Sequence, residues 1–247
     1  MRVRRARDLV VAELGNKSIV IAADSNAATG DKPGDFLKQK PEITGYSAAK
    51  VPLMEVLACG AQPFLLVNNL GVDLATTGRG VLRGIRQLLD ETSVDVLITG
   101  SDESNMPTVQ TGVGVTVLGI IETVQLRVGR TQDRDEIWAI GRRRSGLSGD
   151  EYSEGVDGIA TAKHVIQALQ LRPVHEILPV GSKGIAYEAA ELAREAGLRL
   201  KLRDNPLVDL TRSAGASTCF LVSCVPGTSS ELDAIDLPRN LVGTLSH

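Results

Sequence analysis

The sequence predicts a two-domain chain of mixed α+β and α/β character, with a mixed sheet in the first domain and a smaller α/β second domain. Three observations predict it. At 247 residues and 43% hydrophobic composition, the chain can bury two modest cores. Short β-branched apolar runs alternate with longer helical patterns along its length. The Ser-, Gly- and charge-rich stretch RRRSGLSGDEYSEG interrupts the series, which sets the domains at 1–141 and 155–247.

Each element follows in order. Residues 8–14 and 18–23 read as apolar strands joined by Gly15-Asn16-Lys17, a hairpin connection. The loop DSNAATGDKPGD, Asp24 to Asp35, comes next. ITGYSAAKVPLMEVLACGAQP reads as a buried helix that starts or kinks near Pro52 and is stopped by Gly60. PFLLVNNL is a strand, and residues 77–91 form an amphipathic helix with Val81, Leu82, Ile85, Leu88 and Leu89 inward. VDVLITG is a short strand that runs into the polar loop Ser101 to Pro107, ahead of the long strand TGVGVTVLGII. EIWAIG closes the first domain. The second contributes a helix near 158–171, strand EILPVG, a helix near 184–196, and strands LRLKL and STCFLVSCV.

Composition excludes several classes. A formal net charge of -3 speaks against a constitutive polyanion surface, so nucleic acid is not an expected partner. Arg142-Arg143-Arg144 is the one basic run of note, and without an aromatic platform it reads as a solvated loop. Cys59, Cys219 and Cys224 form no CxxC pair or Cys/His array, so neither zinc nor a disulfide framework is expected. The opening MRVRRARDLVVAEL has an apolar stretch too short, and interrupted by Glu13, for a signal peptide or a membrane span. A cytoplasmic location is the expectation.

The chemistry-bearing residues are acids in costly places. Asp24 ends an apolar strand, Glu55 sits inside an apolar helix, and Asp102 ends another strand. A carboxylate there needs a partner or a cation, and magnesium takes few carboxylates beside nucleotide phosphates, so convergence on Mg-ATP explains all three. Singly, each also reads as structural: Asp24 capping a turn, Glu55 paired with Lys50, Asp102 holding a loop. Lys32, between Gly30 and Gly34, adds an ammonium beside backbone donors that suit phosphate oxygens. Neither a Walker A motif nor GxGxxG is present.

These pieces, in this order, resemble the aminoimidazole ribonucleotide (AIR) synthase superfamily. The carrying segments are AADSNAATGDKPGD, GYSAAKVPLMEVLACGAQPFLLV and TGSDESNMPTVQTGVGVTVLG, with VGSKGI and AGASTCFLVSC as looser support. DSNAATGDKPGD with GSDESN is similar to α-ribazole kinases of cobamide salvage. The resemblance implies a PurM-like fold, in which the first domain's sheet pairs with that of a second subunit into a barrel, and hence a homodimer. It implies ATP at the first domain, with Asp24, Glu55 and Asp102 as metal-associated acids, Glu103 as the alternate to Asp102, and Lys32 facing phosphate. Ser47 departs from relatives that carry an acid at its position, so the metal set here is smaller or rearranged.

The implied reaction is direct γ-phosphoryl transfer from ATP to the 5′-hydroxyl of α-ribazole, a task of alignment and charge neutralisation that needs no Ser-His-Asp set. Gly30 and Asp31 would line the nucleotide, Asp35 or Asp31 would orient the acceptor hydroxyl, and Ser101 and Asn105 would contact the acceptor, although loop solvation and turn formation explain these residues too. His164, His175 and His247 read as structural or surface residues. The alternatives are thiamine monophosphate as acceptor, ATP activation of an amide or carboxyl oxygen, and a nucleotide-binding protein without turnover.

Overall fold

The computed structural model describes residues 1–145 and 158–247. They fold as two compact units. One comprises Met1–Arg4, Leu9–Val56 and Ala61–Ile121, and the other Arg5–Asp8, Leu57–Gly60 and Glu122–His247.

The first unit is built from β1 (Arg2–Ala6), β2 (Leu9–Leu14), β3 (Lys17–Ala27), the short β4 (Thr29–Gly30) and β5 (Leu37–Lys38), helix α1 (Pro41–Ala58), β6 (Gln62–Leu70), helix α2 (Arg79–Thr92), β7 (Leu97–Asp102) and β8 (Gly112–Glu122). Six of these strands form one sheet in the order β1-β2-β3-β8-β6-β7, while β4 and β5 pair separately. The sheet is mixed, as expected: β6 runs parallel to β7 and antiparallel to β8. The hairpin expected at Gly15-Asn16-Lys17 is present, with Leu14 opposite Lys17. Among the described residues neither sheet closes into a barrel.

Alternation decides which face is covered. Along β8, Val113, Val115 and Val117 are buried while Thr116, Leu118 and Ile120 stay half-exposed. Gly119, on the buried face, lies against Val56 of α1. The helix runs unbroken through Pro52, where the sequence suggested a start or a kink. Its flanks are almost entirely buried, and packing on several sides offsets the hydrogen bond that an interior proline removes. Helix α2 crosses it at backbone contact, because a Cβ on Gly84 would sit 1.9 Å from the Glu42 carbonyl oxygen. Before α2 lies a π-helical turn, Leu74–Gly78, which hydrophobic periodicity did not reveal.

The second unit holds β9 (Glu136–Ile140), α3 (Ala162–Leu169), β10 (Val174–Pro179), α4 (Ile185–Glu195), β11 (Arg199–Leu202), β12 (Phe220–Cys224) and β13 (Arg239–Ser246). The sheet order is β10-β12-β9-β13-β11, antiparallel throughout. The strand-helix alternation in the sequence suggested an α/β arrangement. The sheet is antiparallel because β9 and β13, the latter not foreseen from the weakly apolar RNLVGTLS, lie side by side between the outer strands. The same pairing moves the division between units to Ile121/Glu122, ahead of 141, since EIWAI belongs to this sheet. The part of RRRSGLSGDEYSEG from 146 onward lies outside the described residues.

One buried polar knot organises this unit. Glu176 is fully buried and accepts from the backbone amides of Gly129 (3.0 Å), Arg130 (2.9 Å) and Thr131 (3.0 Å) and from the Thr131 hydroxyl (2.8 Å). The Arg7 guanidinium completes it at 3.1 Å. Cys59, Cys219 and Cys224 are buried, and no disulfide joins them. Among the described residues no helix is long and apolar enough to cross a membrane.

Candidate active site

The segment from Asp24 to Asp35 is only partly a loop. Asp24 lies within β3, which continues to Ala27, and Ala28 turns the chain with a φ of 55°. The turn then closes on itself as Thr29–Gly30 pairs with Leu37–Lys38. Gly30 is obligatory here, because a Cβ would lie 2.3 Å from the Thr111 hydroxyl oxygen. Lys38 donates to the carbonyls of Lys32 and Pro33, bracing the turn from outside.

Asp35 is the fastener. It is buried, and its oxygens accept from the Thr111 amide (2.7 Å), the Thr111 hydroxyl (2.7 Å) and the Lys32 amide (2.9 Å). Burial pushes its carboxyl up, but the hydrogen bonds from Thr111 and Lys32, aided by the Lys38 charge, outweigh that and hold it below its ordinary value. Three donors on its oxygens give Asp35 a structural role in holding the turn.

The same accounting narrows the expected phosphate cradle. The Lys32 amide goes to Asp35, the Gly34 amide to the Val109 carbonyl at 2.7 Å, and the Asp35 amide to the Lys32 carbonyl at 3.1 Å. Those backbone donors are spent, so the Lys32 ammonium is the cationic group the loop presents. It donates to the Thr108 carbonyl at 3.3 Å and stands 3.8 Å from Asp73, with 15% of its side chain exposed.

The π-helical turn gathers three of the loops. Asp73 caps it, accepting from the Thr76 amide at 2.9 Å and from the Thr76 hydroxyl at 2.6 Å. Those two bonds, with the Lys32 charge, hold its carboxyl below the usual range. Asp31 accepts from the Thr77 hydroxyl at 2.9 Å, and Asp102 accepts from the Leu74 amide at 3.2 Å and from the Ser104 hydroxyl. Asp31, Lys32 and Asp102 thus all meet one short turn. Glu103 instead folds back on its own loop, accepting from the Asn105 and Met106 amides at 2.9 and 3.0 Å. Ser101, exposed on β7, donates to the Asn69 side chain at 3.4 Å, and Asn105 is exposed.

No group of three or more His, Cys, Asp or Glu side chains among the described residues is placed to hold a metal ion. Asp24 on β3 and Glu55 on α1 are half-buried, on elements separate from the β7 end that carries Asp102. Sequence reasoning missed Asp73, Thr76, Thr77, Thr108 and Thr111. Only Asp73 with Thr76 left a readable trace, since Asp-x-x-Thr ahead of a helix is a capping pattern.

Residues 6–121 match the family model described as AIR synthase related protein, N-terminal domain. Among curated proteins, the thiamine-monophosphate kinase of Archaeoglobus fulgidus is 29% identical over 102 residues, 41% of this chain and 33% of that protein, so the match spans about a third of the relative's length. Two solved structures share the fold. One, AaThiL complexed with AMPPCP and TMP, has a TM-score of 0.65 at 14% identity, covering 97% of this chain and 84% of that one. The other, hydrogenase maturation protein HypE in complex with ATP, has a TM-score of 0.62 at 16% identity, covering 92% and 76% respectively.

Proposed function

We propose that this chain, whose residues 6–121 match the model of the AIR synthase related protein N-terminal domain, is an ATP-dependent small-molecule kinase. The observation that carries the reading is the Lys32 ammonium, held between the Thr108 carbonyl and Asp73 on loops fastened by Asp35 and Thr111. Phosphoryl transfer asks for a pre-aimed cation and aligned reactants more than for a protein nucleophile. Magnesium would come with the nucleotide, needing only one or two protein carboxylates beside the phosphates. Asp24, Glu55 and Asp102, with Glu103 as alternate, are the acids proposed for that duty, one or two at a time. Gly30 and Asp31 are proposed to border the nucleotide, and Ser101 and Asn105 the acceptor.

Of the two acceptors, thiamine monophosphate has the better support. It is named in the curated relative, whereas α-ribazole rests on DSNAATGDKPGD and GSDESN alone. Chemistry supports the same choice. A hydroxyl acceptor must lose a proton, and of Asp35 and Asp31, the carboxylates expected to assist, Asp35 already accepts from three donors and Asp31 from the Thr77 hydroxyl. A phosphate monoester is already an anion: its oxygen attacks the γ-phosphorus as the bond to the β-phosphate oxygen breaks, and ADP leaves. The half-exposed apolar face of the first sheet, including Ile19, Ile21, Leu118 and Ile120, supports the proposal of a homodimer.

The test is ADP release from Mg-ATP with each acceptor, alongside sedimentation for the dimer. Thiamine monophosphate should stimulate release. Stimulation by α-ribazole alone would transfer the assignment to cobamide salvage. Tight ATP binding without turnover on either acceptor would favour a nucleotide-binding protein, the second reading that the shared fold with a hydrogenase maturation protein keeps open.

A further inference from the structure

The outer edge of the second unit's sheet is open at β11. This strand ends the order β10-β12-β9-β13-β11 and pairs on one side alone, with β13. Two hydrogen bonds fix which of its backbone groups face out. The Arg203 amide donates to the Val242 carbonyl at 2.9 Å, so the alternate residues Lys201 and Arg199 also aim their backbone groups at β13. On β13 the Leu245 amide donates the other way, to the Asp135 carbonyl at 3.0 Å, so Leu200 and its opposite number Leu245 exchange no bond. Leu200 and Leu202 therefore each present an N–H and a C=O to the open side, the groups a further strand would pair with.

The side chains sort by the same alternation. Arg199 lies opposite Ser246 and Lys201 opposite Thr244, and all four are exposed on one face. Arg203 continues that row one alternate position further and is exposed as well. Leu200 and Leu202 take the other face, where Leu200 packs against the core that holds Leu192 and Leu245, while Leu202 stays 40% exposed. Among the described residues no ion pair engages Arg199, Lys201 or Arg203. The first acid across the sheet from Lys201 is Glu136, beyond Thr244, and its oxygens accept from the Trp138 indole at 3.0 Å and the Gly227 amide at 3.4 Å. A row of cations thus borders an unpaired backbone edge, in a chain whose net charge is -3.

We propose that β11 docks an extended acidic segment of a partner protein as an added strand, one in which carboxylates alternate with apolar residues. Main-chain bonds to Leu200 and Leu202 supply the pairing. Arg199, Lys201 and Arg203 fall at the positions without bonds to the added strand, where opposed residues approach closest, about 4.5 Å between Cα atoms. Carboxylates belong opposite them, and apolar side chains opposite Leu200 and Leu202. Basic residues on an edge strand guard it against self-pairing, since β11 against β11 sets like charges face to face. A guard of one sign leaves a strand of the opposite sign admissible. Nucleic acid fits less well, because the outward carbonyls of Leu200 and Leu202 would meet its phosphates. The proposal concerns the second unit alone and stands without the kinase reading.

The test titrates the full chain with a short capped peptide of alternating glutamate and valine, followed by calorimetry and by amide hydrogen exchange. The peptide should bind, should slow exchange at the Leu200 and Leu202 amides, and should weaken as salt is raised. A lysine–valine peptide should not bind, nor should the glutamate–valine peptide N-methylated at its valines, the residues that would donate to the edge. The double variant Lys201→Glu with Arg203→Glu should weaken the glutamate–valine peptide by at least about tenfold and admit the lysine–valine one. The peptide comparisons on wild type decide alone if that variant misfolds. Absence of binding, undiminished binding of the N-methylated peptide or in a folded double variant, equal binding of the lysine–valine peptide, or Leu200 and Leu202 amides left unprotected would each overturn the assignment. An oligonucleotide bound more tightly at this edge, or concentration-dependent protection of the same amides without peptide, would overturn it in favour of nucleic acid or a second copy of the chain.

Discussion

Asp35 grips Thr111 twice, taking its amide at 2.7 Å and its hydroxyl at 2.7 Å, and so ties the lysine-bearing turn to the start of β8. Replacing Asp35 by Ala leaves the Thr111 amide buried without this partner, and a cost of roughly 1–3 kcal/mol in urea unfolding is expected. The contribution is also pH-dependent. Because the folded carboxyl titrates below its ordinary 3.8, the stabilisation is present above that value and fades as the pH falls through the folded-state pKa. Wild type and Asp35→Ala should therefore converge in acid, and a constant gap down to the lowest pH would remove the ionised-fastener account.

Lys32 is the cation this turn holds in place. Lys32→Ala should lower kcat/KM by about a hundredfold or more, corresponding to about 3 kcal/mol of lost transition-state stabilisation, while the thermal midpoint moves little. The side chain is tied only to one carbonyl and to Asp73 at 3.8 Å, so its loss leaves the core untouched. A large thermal shift with activity intact would make Lys32 a structural residue.

Glu188, on the first turn of α4, reports on the second unit. Burial first, then the negative charge of Asp8, pushes its carboxyl from 4.5 up to about 7, against a lowering hydrogen bond from the Gly181 amide. The folded form therefore holds a proton that the unfolded chain releases near 4.5. The resulting stabilisation is complete below that pH and lost as the pH rises through about 7. The second unit should be more stable at pH 5 than at pH 8 by up to about 3 kcal/mol on this account, and Glu188→Gln should flatten the difference. Thermal melts of both proteins at the two pH values check it; identical slopes would refute it.

Arg7 and Glu176 form a pair with 3% and 0% of their side chains exposed. Arg7→Met removes the cation and leaves the carboxylate buried among the amides of Gly129, Arg130 and Thr131 and the Thr131 hydroxyl, which should cost about 3–5 kcal/mol. Replacing both, Arg7→Met with Glu176→Gln, should recover part of the loss, since the glutamine carries no charge to strand. Urea unfolding of the single and double variants measures the coupling, and simple additivity would show that the two side chains act independently.

Much of the fold was legible because strand and helix periods are local. The β2–β3 hairpin, α1, β6, α2, β8 and α4 follow from apolar spacing and turn residues that the neighbouring sequence supplies. The misses share a cause. β1 is basic and β13 weakly apolar, and each is a strand because a partner strand completes its hydrogen bonds. The π-helical turn carries no periodicity of its own and is visible only through its Asp73 cap.

For the site, sequence alone determined which residues bear chemistry: a lysine in a glycine-bounded turn, acids at costly positions, and a run of three arginines. Residue type and neighbours set those properties. Tertiary structure alone decided what each is free to do. Asp35 became a fastener because Thr111, 76 residues away in the chain, brings two donors to it. Asp31 and Asp102 were brought to the same short turn as Lys32, and the arginine run became part of a cavity lining rather than an open loop. Hydrogen-bond saturation and concavity arise between segments distant in sequence, so no local pattern records them.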